Sequence, residues 1–206
     1  MGDLILASTS RWRREMLAAA GILADAVAPE VDERALVAHG AHGARPSDLA
    51  RRLADAKADA VAARHPGRWI LAADQLATDG AEVFGKPDDP ADHARRLRGL
   101  RGRAHALVTG WCLLDPGGER RGGVEETRLV MRADVTDAEI EAYVASGEGS
   151  GCAGGYAIEG RGAFLFERTE GDWFNIVGLP LFAVIGGLRG AGWRHRDGQL
   201  RPSETA

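Results

Sequence analysis

The sequence predicts an α/β protein built on a mixed β-sheet flanked by helices. Three observations carry that expectation. Short apolar runs at residues 4–7 and 69–73 have the length and composition of buried strands. Segments between the runs repeat apolar residues at three- and four-residue spacing, as amphipathic helices require. Turn signals at 78–80, 115–118 and 170–172 fold neighbouring runs into hairpins, so the sheet is not purely parallel.

The first strand, Leu4-Ile-Leu-Ala7, runs into Ser8-Thr-Ser10 and a helix over 11–20, with Ser10 as its N-cap. A strand that feeds hydroxyls into a helix start makes an anion site, because free backbone N–H groups and the helix dipole converge there. Arg13 and Arg14 oppose that dipole. Arg14 reads as a solvated charge and Arg13 as the partner of a bound anion. A second helix is expected over 47–64, capped by Ser47, with Leu49, Leu53, Ala56 and Ala60 on one face. Lys57 borders that stripe, which leaves open whether it snorkels or faces a ligand.

The strand at 69–73 ends on Asp74, and carboxylates at the C-terminal ends of buried strands are where open α/β sheets place ligand chemistry. A turn at 78–80 returns the chain through Glu82-Val-Phe-Gly-Lys86-Pro87, and Pro87 stops any helix from passing through Lys86. Then come a short helix over 90–97, a strand over 107–114, a hairpin at 115–118 and a strand over 125–132. Thr136 and Glu139 form a capping box that opens a helix reaching 145. Residues 146–162 are dense in glycine but fit neither the GxGxxG nor the GxxxxGK[ST] phosphate fingerprint. A hairpin of strands at 163–168 and 173–177 follows, and a last helix over 178–189. The chain reads as a single domain over 1–193, with a polar tail from 194 that is expected to fray.

Composition narrows the function. With 206 residues, 45% of them hydrophobic, the chain is long enough for a full core. Its net charge of −4 provides no basic field for coating a polynucleotide. The N-terminus lacks the pattern of a signal peptide, and no apolar run approaches the ~20 residues of a membrane helix. Cys112 and Cys152 are too few for a disulfide framework, so free thiols in the cytoplasm are expected. Only Lys57 and Lys86 are lysine among 26 basic residues. In so arginine-rich a chain, a retained lysine marks a place where a compact point charge suits better than a broad planar fork.

The chemistry-bearing residues are therefore the hydroxyls Ser8 and Ser10, the cations Arg13, Lys57 and Lys86, and the carboxylates Glu33 and Asp74. Cations with hydroxyls suit a polyphosphate. Carboxylates beside them suit Mg²⁺, which takes few protein oxygens and borrows the rest from phosphate and water. No Gly-x-Ser-x-Gly elbow surrounds Ser8 or Ser10, and the six histidines show no HExxH pairing for zinc. The residues alone point to a phosphate-handling enzyme.

Several motifs, in register and in order, resemble the Maf family. They are Leu4-Ile-Leu-Ala-Ser-Thr-Ser-Arg-Trp-Arg-Arg-Glu-Met-Leu17, Glu30-Val-Asp-Glu33, Ala73-Asp-Gln75, Gly85-Lys-Pro87, Thr109-Gly110, Ala153-Gly-Gly-Tyr-Ala-Ile-Glu-Gly160 and Val177-Gly-Leu-Pro180. The match covers about residues 3–190. The resemblance implies an elongated mixed sheet flanked by helices, two lobes with a cleft between them, similar to the inosine triphosphatase architecture. It also implies hydrolysis of a nucleoside triphosphate to monophosphate and pyrophosphate with Mg²⁺ or Mn²⁺. By the same resemblance Ser8, Ser10, Arg13, Lys57 and Lys86 bind phosphates, Asp74 is the catalytic acid and a metal ligand, and Glu33 is the second metal carboxylate. A homodimer is the family's tendency, and no polynucleotide or membrane partner is expected.

Specificity is read at four positions. The family's dTTP/UTP subgroup carries Arg, Thr, Lys and Gln where this chain has Trp12, Gln75, Cys152 and Glu159. All four departures resemble the subgroup that prefers 7-methyl-GTP. Guanine offers two adjacent donors to a carboxylate, and a methylated, cationic purine favours an aromatic face. Trp12 at core spacing and Glu159 in a solvated loop are the plainer alternatives. Arg11 replaces the proline usual in the first motif, and Gly155-Tyr-Ala-Ile158 is closer to the pyrimidine subgroup. Other readings are a dTTP/UTP or broad-specificity Maf enzyme, an inosine triphosphatase-type housecleaner, and a nucleotide-binding, non-enzymatic regulator of septum formation.

Overall fold

The computed structural model describes residues 3–33, 35–36 and 44–203. Nine strands and six α-helices are described, with two short 3-10 helices at Ala153–Gly155 and Arg161–Leu165. In chain order they are β1 (Leu4–Leu6), α1 (Arg11–Ala19), β2 (Ala24–Ala26), α2 (Pro46–Ala62), β3 (Trp69–Thr78), β4 (Val83–Phe84), α3 (Pro90–Leu100), β5 (Ala104–Leu114) and β6 (Arg120–Met131). They continue with α4 (Asp137–Ala145), β7 (Phe166–Glu170), α5 (Trp173–Val177), α6 (Leu181–Gly190), β8 (Trp193–Arg196) and β9 (Gln199–Pro202).

The sheet is mixed, as the sequence predicts. Its order is β2-β1-β3-β5-β6-β7, with β4 paired to β3. β1 pairs in parallel with β2 and β3, whereas β4 on β3 and β7 on β6 are antiparallel. Residues cluster into two compact units, one of 1–74, 109–125 and 178–206, the other of 75–108 and 126–177. β3, β5 and β6 each contribute residues to both.

The first unit has its own apolar core, in which Ile5 of β1, Ile70 and Ala72 of β3 and Ala54, Ala58 and Val61 of α2 pack together. α2 lies directly on β5. A Cβ added to Gly110 would sit 2.3 Å from the Ala50 carbonyl oxygen, so only glycine permits this approach. The core of the second unit gathers Leu97 of α3, Leu107 of β5, Leu129 of β6 and Ile140 of α4. Its Thr136–Glu139 capping box is present with both reciprocal bonds.

Several local expectations change. α2 starts at Pro46 rather than Ser47, and its N-cap is Arg45, which makes no side-chain cap bond; proline at the first helical turn fixes φ and has no N–H to leave unbonded. β3 does not end at Asp74 but continues to Thr78. The segment 173–177 is the short helix α5, not a strand: the Asp172 side chain accepts the Phe174 N–H at 2.9 Å and turns the chain. β7 pairs instead with β6, antiparallel and across the intervening helix α4. In the stretch read as a fraying tail, β8 and β9 pair as a hairpin. There Trp193 is buried edge-on against Trp69, with ring centroids 5.7 Å apart. Among the described residues no helix is long and apolar enough to cross a membrane.

Candidate active site

The site is assembled in the first unit where β1 ends. β1 pairs with β3 only as far as Leu6↔Leu71, and the Ala7 N–H closes the ladder on the Leu71 carbonyl at 2.8 Å. β3 runs on past that point. Asp74 thus lies in mid-strand, yet beyond the C-terminal end of its parallel neighbour, where β1 turns away towards α1. The carboxylate-at-a-strand-end reasoning fails for β3 itself and holds for the strand beside it.

Ser8 follows β1 and is buried. Its Oγ accepts the Ser10 N–H at 3.2 Å and a donor from Arg13 Nη1 at 3.3 Å. Ser10 is the N-cap of α1, accepting the Arg13 N–H at 3.4 Å as expected. Arg13 also donates from Nη1 to the Ala73 carbonyl and from Nε to the Gly178 carbonyl, each at 2.7 Å. One guanidinium therefore ties the start of α1 to β3 and to the segment before α6. Burial pulls the Arg13 guanidinium down from its ordinary value, while the charges of Asp74 and Glu33 hold it up.

Lys57 is not at the border of the α2 stripe but inside it. Leu49, Leu53, Lys57 and Val61 recur at four-residue spacing, all buried, and Lys57 is only 6% exposed. A buried ammonium is tolerated only when paired. Lys57 Nζ is paired twice: it donates to Asp74 Oδ1, and it meets Glu33 Oε1 at 2.8 Å. Asp74 is equally buried, whereas the Glu33 side chain is half exposed. Glu33 is delivered by a sharp turn in which Glu30 takes φ 53 and its carboxylate is held by Arg64 at 3.0 Å. The first unit thus brings together Ser8, Ser10, Arg13, Glu33, Lys57 and Asp74. Two carboxylates converging on one ammonium beside a helix N-terminus form a donor set that fits a hard divalent cation sharing its remaining positions with phosphate and water. Among the described residues no group of three or more His, Cys, Asp or Glu is arranged to hold a metal.

Trp12, on the same helix as Arg13, is 38% exposed, so its spacing does not place it in the core. The Arg11 guanidinium lies over its ring at 5.4 Å.

The other predicted residues belong to the second unit. Gln75 donates from Nε2 to the Asn175 carbonyl at 2.6 Å, and Asn175, fully buried, donates to the Leu107 carbonyl and Thr127 Oγ1. Lys86 is exposed on the turn after β4, and Glu159 is exposed in the glycine-rich loop. Cys152 is half buried, and its thiol is pushed up to about 11, first by burial and then by Glu159, with Lys86 opposing. Lys86, Cys152 and Glu159 are therefore electrostatic neighbours. Both cysteines are free, as expected.

Sequence reasoning missed Asn175 and Glu148. Glu148 Oε1 accepts the Gly162 N–H at 2.9 Å and pins the glycine-rich loop. An asparagine in an apolar run was the available signal for the first; a glutamate among glycines carries none.

The family model for Maf-like protein matches residues 3–191. A dTTP/UTP pyrophosphatase of Geobacter sulfurreducens is 42% identical, covering 93% of this chain and 97% of its own length. A dTTP/UTP pyrophosphatase of Deinococcus radiodurans is 43% identical, covering 92% and 93%. A nucleoside triphosphate pyrophosphatase of Rhodopseudomonas palustris is 43% identical, covering 90% and 92%. Among solved structures, a nucleoside-triphosphatase / dITP/XTP pyrophosphatase of Mycobacterium abscessus is similar with a TM-score of 0.42 at 21% identity, covering 65% of this chain and 76% of its own.

Proposed function

The chain belongs to the Maf-like protein family, and from that premise we propose that it is a nucleoside triphosphate pyrophosphatase, hydrolysing the α–β phosphoanhydride to a monophosphate and pyrophosphate. The observation that carries the reading is Lys57, a buried ammonium in an apolar helix stripe that holds both Asp74 and Glu33.

The α1 N-terminus, with Ser8 and Ser10, presents hydroxyls and backbone N–H groups to phosphate oxygens. Arg13 adds positive charge beside them and fixes the geometry through its carbonyl bonds. Lys57 neutralises charge on the triphosphate and orients Asp74. Asp74 positions the attacking water and accepts its proton as the water approaches the α-phosphorus in line. Phosphoryl chemistry of this kind is mostly positioning and charge stabilisation, which rigid, pre-paired groups supply. Glu33 and Asp74 would hold a divalent ion, Mg²⁺ or Mn²⁺, which supplies charge neutralisation on the triphosphate when bound. Lys86, on the second unit, is assigned to the phosphates.

The base preference has two supports pointing apart. Exposed Trp12 and exposed Glu159 suit a cationic, donor-rich base and favour 7-methyl-GTP. The names of several relatives favour dTTP and UTP. A panel of 7-methyl-GTP, GTP, ITP, dTTP, UTP and CTP with Mg²⁺ or Mn²⁺ separates them. Fastest turnover of 7-methyl-GTP supports the Trp12/Glu159 reading, fastest turnover of dTTP or UTP removes it, and no turnover of any nucleotide refutes the enzyme.

A further inference from the structure

The turn that carries Lys86 is held from both sides by the ion pair of Asp92 with Arg96, while the other Asp92 oxygen pairs with Arg95. α3 begins just after this turn, with Asp89 as its N-cap accepting the Asp92 N–H at 2.7 Å. Asp92 and Arg96 stand one helical turn apart and pair, Arg96 Nη2 to Asp92 Oδ2 at 2.7 Å. Both side chains are largely covered, Asp92 at 8% and Arg96 at 18% exposure. Arg96 uses its other amino group, Nη1, to donate to the Gly85 carbonyl at 2.8 Å. Asp92 Oδ2 also accepts the Asp88 N–H at 3.1 Å. The residue before Lys86 and the second residue after it are thus bonded to the two halves of one pair. Pro87 closes the turn from the side of Gly155, where a Cβ would come 3.3 Å from its ring. Lys86 itself makes no hydrogen bond or ion pair with another described residue.

An exposed lysine loses rotamer and backbone freedom when it engages an anion, and a rigid turn reduces that cost beforehand. A surface ion pair of i,i+4 spacing contributes little to stability by itself. This pair is different because each partner also bonds the backbone of a turn. We propose that Arg96 and Asp92 are positioning residues that lock the Gly85–Asp88 turn and hold the Lys86 ammonium in place for the substrate's phosphates. The inference rests on the assignment of Lys86 to phosphate binding and deepens it. Arg96 holds the Asp92 carboxyl below its usual range, so the clamp stays charged at neutral pH.

The test is a double-mutant cycle read on binding, with inorganic tripolyphosphate and Mg²⁺ as the probe in calorimetry. Tripolyphosphate has no base, so base preference does not enter. Arg96→Ala is expected to weaken binding about tenfold in the wild-type background and less than about twofold with Lys86→Ala already present. A purely structural role would give the same factor in both backgrounds and overturn the proposal. So would full affinity in Arg96→Ala when Lys86→Ala binds weakly, or full affinity in Lys86→Ala. Arg96→Lys keeps the charge but not the two-pronged reach and should restore affinity only in part; should Arg96→Ala fold poorly, the cycle is run with that variant. Because the readout is binding, a wild-type chain that binds tripolyphosphate without hydrolysing nucleotides refutes the enzyme while leaving the clamp to be judged on these affinities.

Discussion

At the scale of single residues, the account depends on an unequal pair. Lys57 serves two carboxylates, but Asp74 is buried and Glu33 is half exposed. Lys57→Met strands the Asp74 charge in the core, and removing one partner of a buried pair costs about 3–5 kcal/mol. Asp74→Asn leaves Lys57 still paired with Glu33, so its cost in stability is smaller, while its cost in turnover is about 10²–10⁴-fold. Urea denaturation with initial rates should rank Lys57→Met as the less stable variant; the opposite ranking contradicts the pairing described here. His105 makes a second prediction. It is buried beside Tyr156, whose hydroxyl lies 2.7 Å from its Nε2, and burial lowers its pKa to about 4 with Asp79 opposing weakly. The unfolded chain takes up this proton near pH 6.5, the folded chain only near 4. Stability from this group is therefore complete above pH 6.5 and declines as pH falls through that window, by at most about 1.4 kcal/mol per pH unit. Denaturation at pH 7, 6 and 5 should show one proton's slope less in His105→Gln, which does not titrate; an unchanged slope means His105 is not the group.

At the scale of elements, Gly110 sets how closely α2 approaches β5, and α2 carries Lys57. Gly110→Ala must push the helix outward, because the atoms it meets are backbone. Overpacking of this kind costs about 1–3 kcal/mol, and it moves Lys57 relative to Asp74 on β3. A fall in melting temperature together with a fall in kcat is expected; native activity at native stability would show that the helix is not seated as described. The same elements show what was legible in the sequence. Ser10 and the Thr136–Glu139 box announced their helices because capping is local chemistry. The fate of 173–177 was hidden: its apolar pattern suits a strand, and only the Asp172 side chain and the pairing of β7 with β6 make it a helix. Lys57 was placed at the edge of its stripe because a lysine reads as polar until its partners, 17 and 24 residues away in sequence, are in view.

At the scale of the whole molecule, the sequence carried the mixed sheet and the identity of the chemistry-bearing residues further than it carried their surroundings. Ser8, Ser10, Arg13, Glu33, Lys57 and Asp74 do meet in one unit, and two of them meet through the only buried lysine among the described residues. The lysine count signalled this before any geometry: of 26 basic residues, Lys57 is set in a core and Lys86 on a clamped turn. Asp92 and Arg96 were visible as an i,i+4 pair, but nothing local says that such a pair also holds a neighbouring turn. The most direct measurement follows the bond that breaks. The best substrate of the nucleotide panel is hydrolysed in ¹⁸O-enriched water, and the products are separated and weighed by mass spectrometry. The account predicts nucleoside monophosphate and pyrophosphate, with the label in the monophosphate, because water attacks the α-phosphorus. Nucleoside diphosphate with inorganic phosphate, or label in the pyrophosphate, would contradict it.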